Sequence, residues 1–229
     1  MAFFALNGVS HSFASSEPKN WRYIGYWRDQ PIAAWEVEGL DGYGGSLKSG
    51  DTLKGVRLKA KGVPGIVRFY AQGFQPPPAF GLNNPAYKSA YEQNVFNNSY
   101  SNLTLGPVDP PIQLGPVTFV DTLKNYLSRS RTLGWFTNRP DTAKPLAGEL
   151  ATDSIMTRLT KRLTRVRNAL VANDSATART ELTRFINKVQ SLYKETNDGD
   201  QAPGEIVLTS EAYALLKFNA QFLLAKIAQ

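Results

Sequence analysis

MTRLTKRLTRVRNAL, Met156–Leu170, carries five cations and no acid. Ile155, Leu159, Leu163, Val166 and Leu170 recur through it at intervals of three or four, the spacing that lines apolar side chains along one face of an α-helix. Asp153 or Ser154 is placed to cap the N-terminus of that helix. With the apolar stripe turned inward, Arg158, Lys161, Arg162, Arg165 and Arg167 occupy the remaining circumference. Two readings follow. The cations form a patch for phosphate or an acidic partner, or they are a solvated face whose charges pair with acids such as Glu181, Glu195 and Glu211. Nucleic-acid binders add stacking aromatics or a docking motif to their charge, whereas the aromatics here take core positions. Nucleic acid is therefore disfavoured. The solvated face comes first, with contact to an acidic protein next.

Working outward from this helix, three more amphipathic segments appear. Phe119, Leu123, Tyr126 and Leu127 stripe the first, and Gly134 is a candidate residue just past its end. A third helix, starting at Asp174 or Ser175, places Ala178, Leu182, Phe185, Val189 and Leu192 on one face. After the break NDGDQAPG, a fourth starts at Thr209 or Ser210 and carries Leu216, Ala220, Leu223 and Ile227. None of these stripes can be buried by its own helix, so a four-helix bundle over 117–229 is the expected solution.

Before residue 116 the pattern changes. Val56, Leu58 and Ala60 alternate with Arg57, Lys59 and Lys61, a period of two that predicts a strand with one wet, cationic face. Pro64-Gly65 is the usual pair for a type II turn, and IVRFYAQ reads as the returning strand of a hairpin. FFALNGVSHSF, NWRYIGYW and IAAWEVEG add shorter strand candidates. The expectation for 1–75 is an antiparallel β-sandwich. Pro76 to Pro78 and Pro107, Pro110, Pro111 and Pro116 mark 76–116 as an extended connector, with one short helix at Tyr87–Phe96. The fold class expected is thus α+β in two parts, joined by that connector.

At the C-terminus, LTSEAYALLKFNAQFLL follows RVRNALVANDSATARTELTRFINKVQSL. Together these resemble the FIMAH-type helical domain found at the ends of secreted bacterial proteins. The likeness covers Leu150 to Ile227. Leu182, Phe185, Ile186, Val189 and Leu192 match the domain's apolar positions, and Asn173-Asp174 stands at the turn where Gly is more usual. LKSGDTLKGVRLKAKGVPGIVRFYAQG is similar to a segment of uncharacterised secreted bacterial proteins that combine a PG turn, FYAQG, a Pro-rich linker and the same helical module. The resemblance implies an exported, bacterial, extracytoplasmic protein with a structural or binding role, and it brings no catalytic residue with it.

The residues themselves offer little chemistry. Cysteine is absent and His11 is the single histidine, which removes thiol catalysis and leaves one ring for any triad or transition-metal site. Glu36 and Glu38 share one strand face, about 7 Å apart, but glycosidases draw their carboxylates from different strands. Asp41 and Asp51 lie among glycines without the residue order of a calcium loop. Neither G-x-x-x-x-G-K-[ST] nor G-x-G-x-x-G occurs. The expectation is no enzyme, no cofactor and no metal.

Aromatics are the other candidate contact set. Trp21, Tyr23, Tyr26 and Trp27 crowd into seven residues, with Trp35 and Tyr43 following. If exposed, they stack on sugar rings or meet a protein; if buried, they are core. The net charge of +7 attracts anions at long range without naming one, and peripheral contact with an anionic membrane surface stays open. No apolar run is long enough to span a bilayer, and MAFFALNGVSHSF lacks the basic start and apolar length of a signal peptide. Met1 reads either as the true start of a cytoplasmic chain or as an added residue ahead of a mature secreted chain. The function expected is an accessory or structural subunit at a cell surface or in an extracellular assembly, with a protein partner or a second copy of itself. A carbohydrate-binding module is the alternative, and a polyanion-binding basic helix the next.

Overall fold

The computed structural model describes residues 3–7, 12–16, 21–27, 30–37, 57–72, 100–136, 145–196 and 208–228. The chain divides into two compact units, Met1–Asp109 and Pro110–Gln229, and its class is mixed α and β.

Among the described residues the first unit contains seven strands: β1 (Phe3–Asn7), β2 (Ser12–Ser16), β3 (Trp21–Trp27), β4 (Gln30–Val37), β5 (Arg57–Ala60), β6 (Val63–Gln72) and β7 (Tyr100–Val108). Five form an antiparallel sheet in the order β3-β4-β1-β6-β7, and β2 pairs with β5 in a second, two-stranded sheet. Along the large sheet Tyr23 stands opposite Trp35, Trp35 opposite Phe4, and Val67 opposite Thr104. The core holds Trp21, Ala33, Trp35 and Val67, with Tyr23, Phe69 and Val108 packed against it. Leu58 of β5 packs on the same cluster, so the small sheet contributes to that core while Arg57 and Lys59 stay exposed, as their alternation with Leu58 predicts.

Three expectations are corrected here. First, β5 and β6 are not a hairpin: β5 pairs with β2, and β6 pairs with β1 and β7. Second, Pro64 and Gly65 lie inside β6 rather than at a turn. Pro64 faces Pro107 across the ladder, beyond the stretch of β6 that β1 covers, where a missing N–H costs little. Gly65 is buried opposite Gly106, and a Cβ built on it would overlap the Val108 side chain. This glycine is needed for close approach, not for a turn. Third, the expected connector over 76–116 contains a strand, because Asn102, Leu103, Thr104 and Leu105 alternate with period two between the prolines. The unit boundary accordingly follows Asp109. The helix expected at Tyr87–Phe96 lies outside the described residues.

Among the described residues the second unit contains four helices: α1 (Pro116–Thr132), α2 (Pro145–Val171), α3 (Ser175–Thr196) and α4 (Ser210–Ile227). Each packs on two neighbours: α2 on α1 and α3, and α4 on α3 and α1. Phe119, Leu123, Leu127, Leu159, Leu163, Val166, Leu182, Phe185, Val189, Leu216, Ala220 and Leu223 share one core. Each fully buried Leu or Phe contributes about 1.5–3 kcal/mol relative to exposure. The stripes read from the sequence are therefore the faces that pack.

The helix ends follow local chemistry. Gly134 has φ +72, with its N–H bonded to the Arg131 carbonyl (3.0 Å) and the Trp135 N–H to that of Ser130 (2.9 Å), a Schellman ending for α1. Asn173, at φ 56, repeats the arrangement after α2, with the Asp174 N–H on the Ala169 carbonyl at 2.8 Å. Asp174 then caps α3 by accepting from the Thr177 N–H at 2.9 Å. Hydrogen bonding from the Thr177 side chain, then from its backbone, holds the Asp174 carboxyl below its usual range. Thr209 caps α4 through the Ala212 N–H. At the other end of α4, the Lys226 ammonium donates to the carbonyls of Ile112 and Leu114, both at 2.7 Å, and ties down the segment leading into α1. One start is corrected: α2 begins at Pro145, not near Asp153. Proline is favoured in a first turn, where its missing N–H is not needed, and the cap residues Asp153 and Ser154 are carried inside the helix.

The left-handed turn yields a test. Asn173→Ala is expected to lower stability by about 1 kcal/mol, because a Cβ without a local hydrogen-bonding side chain is disfavoured at positive φ. Asn173→Gly is expected to match or exceed the parent. Thermal unfolding followed by circular dichroism reads both; equal melting of the Ala and Gly variants contradicts a left-handed residue 173.

Candidate interaction surface on the helical unit

The aromatic set is divided by the structure. Trp21 is 6% exposed and Trp35 0%, with Tyr23 half-buried against Trp35 at a ring separation of 5.2 Å and 52° between planes. Trp21 and Tyr23 lie two apart on one strand face, and Tyr23 stands opposite Trp35, so their rings fill one side of the sheet. Trp21 and Trp35 are core, which corrects their assignment to an exposed contact surface. A sugar platform built on Trp21, Tyr26, Trp27 and Trp35 loses two of its four members. The backbone of Tyr26 and Trp27 lies in β3, but their side chains and Tyr43 lie outside the described residues.

The five cations of α2 separate into two groups. Arg167 turns toward α1, where its Nε lies 3.1 and 3.2 Å from the two carboxylate oxygens of Asp121. Arg162 and Arg165 turn toward α3. There Glu181, whose side chain is only 8% exposed, receives Arg162 at 3.4 Å and Arg165 at 3.9 Å on Oε2, and Arg184 at 2.6 Å on Oε1. One buried carboxylate thus holds three guanidinium groups. Only the Arg184 contact is as short as a strong charge-assisted hydrogen bond, so Arg162 and Arg165 keep most of their donor capacity for other groups. Glu211 forms no such pair among the described residues, and the Glu195 side chain lies outside them.

Arg158, Lys161, Arg162 and Arg165 stand at i, i+3, i+4 and i+7, which places them along one face of α2. Arg158 and Lys161 are exposed and form no ion pair among the described residues. Arg184 and Lys188, one turn apart, extend the same field from α3. Between 155 and 193 eight cations meet two acids, Asp174 and Glu181, a surplus of six against a chain total of +7. A cleft of about 510 Å³ opens between the helices, lined by Arg165, Ala172, Asp174, Thr177 and Glu181. Its far end, at the turn, is acidic through Asp174.

The sequence reading did not include Arg184 and Lys188. The spacing Glu181–Arg184–Lys188 was a signal for them, but the meeting of Arg184 with Arg162 on Glu181 depends on how α2 and α3 pack. A second cluster also went unread. Tyr193 and Tyr213 stack at 4.1 Å and 17°, and the Lys217 ammonium donates to the Tyr213 hydroxyl at 2.6 Å. Phe218 beside it is 44% exposed. The Tyr213–Lys217 spacing of four was the available signal.

His11, Glu38, Asp41 and Asp51 lie outside the described residues, as does the Glu36 side chain. Among the described residues no group of three or more His, Asp or Glu is placed to hold a metal, and no helix is long and apolar enough to cross a membrane. No protein family, curated protein or solved structure matches this chain.

Proposed function

We propose that this protein is a non-catalytic accessory or structural subunit that acts through protein–protein contacts. The observation that carries the reading is the cationic face of α2 and α3, where Arg162, Arg165 and Arg184 gather on buried Glu181 and Arg158, Lys161 and Lys188 add further positive charge. Side chains pre-set by an internal carboxylate lose less conformational freedom on meeting a partner than free ones do. In this reading the first unit is a β-sandwich and the second a four-helix bundle, the two serving as rigid carriers of surface groups. The likeness of Leu150–Ile227 to FIMAH-type modules supports an exported, bacterial setting. A carbohydrate-binding role has less support once Trp21 and Trp35 are counted as core.

The test is isolation of the protein from its source at about 0.1 M salt, where charge contacts still act over about 10 Å. Stoichiometric co-purification of a protein partner, lost at high salt, is expected. A chain that emerges alone and monomeric at both salt concentrations overturns the proposal.

A further inference from the structure

We infer that the face formed by α2 and α3 is a docking site for an acidic polypeptide segment, an inference that rests on the accessory-subunit reading and names its contact. Arg162 and Arg165 on α2 and Arg184 on α3 meet on a single acid, Glu181, while Arg158 and Lys161 continue the α2 face and Lys188 lies one turn on from Arg184. Four of the six are arginines, whose planar fork matches a carboxylate better than an ammonium does. Three guanidinium groups already gather on the Glu181 carboxylate, each through one nitrogen. The stripe from Arg158 to Arg165 runs about 10 Å, seven residues at the helical rise, which suits a short run of extended chain bearing several carboxylates. Asp174 closes the turn end of the cleft with like charge, so the segment lies over the Arg158–Lys188 end and stops short of the turn. Nucleic acid is the poorer fit: the described residues of this face include no aromatic ring on which a base could stack.

The experiment uses the full chain, a fluorescent ten-residue glutamate peptide and a DNA duplex of equal charge. The peptide is expected to bind in a salt-sensitive manner and more tightly than the duplex. Simultaneous Arg158→Glu, Lys161→Glu and Arg165→Glu substitution is expected to weaken it about tenfold or more. The three positions are exposed, so the fold survives, and circular dichroism checks this. The neutral Arg158→Gln, Lys161→Gln, Arg165→Gln variant is expected to lose less. A control with Arg57→Glu, Lys61→Glu and Arg129→Glu, all exposed positions outside α2 and α3, changes the net charge equally and leaves peptide affinity nearly unchanged. Equal loss in the control, tighter binding of the duplex, or no binding of the peptide at low salt each overturns the inference. A natural partner that still co-purifies with the α2 charge-reversal variant overturns this inference alone. A wild-type chain that binds the peptide but co-purifies with no partner instead overturns the accessory-subunit reading.

Discussion

Replacing Trp35 by alanine is expected to destabilise the first unit by about 3–5 kcal/mol, the usual loss when a fully buried large aromatic is removed. Trp35 has no exposed surface, packs on Tyr23, and shares its cluster with Trp21, Ala33 and Val67. It stands on β4 opposite Tyr23 of β3 on one side and Phe4 of β1 on the other. The cavity left behind would therefore open at the middle of three adjoining strands. Hydrogen exchange read by mass spectrometry should show protection collapsing across 3–7, 21–27 and 30–37, with α1 to α4 retained. A variant with intact protection that has lost binding to a glycan would put the ring on the surface and restore the carbohydrate reading.

The second large effect is expected from Phe185→Ala in α3. Phe185 is fully buried in the core shared by all four helices, and truncation there also costs about 3–5 kcal/mol. Phe218→Ala on α4 is the matched comparison, because that ring is 44% exposed and a surface substitution usually changes stability by about 0.5 kcal/mol or less. Urea unfolding followed by far-ultraviolet circular dichroism, dominated by the helices, separates the two. Similar midpoints for both variants would contradict the packing of α3. The pair also tests the helical faces read from sequence, since both residues are phenylalanines on amphipathic helices and only position distinguishes them.

Much of the helical unit was legible before any coordinate. The apolar spacing through Leu159, Leu163 and Val166, and through Leu182, Phe185 and Val189, names the packed faces, because a helix presents every third or fourth residue to one side whatever lies opposite. Gly134, Asp174 and Thr209 were legible as helix ends for the same reason: a cap is a bond between residues a few positions apart. Pro145 was missed because cap-forming Asp153 and Ser154 offered a competing start nearer the apolar stripe. The strand unit was less legible. Alternation along β5 revealed its wet and buried faces correctly, yet Pro64-Gly65 carried a strong turn signal that the sheet overrode.

The sequence by itself therefore determined what is local: the helix faces, the caps, the alternation of β5, the absence of thiols and the excess of cations. Which strand pairs with which, why Gly65 must lack a side chain beside Val108, and that Trp35 is core were decided by tertiary structure. So was the gathering of Arg162, Arg165 and Arg184 on Glu181, residues up to 22 positions apart in sequence that meet because α2 and α3 fold back on one another. Periodicity reports only the direction in which a side chain leaves its own element. What waits there is set by packing of other elements, for which the chain carries no short-range signal.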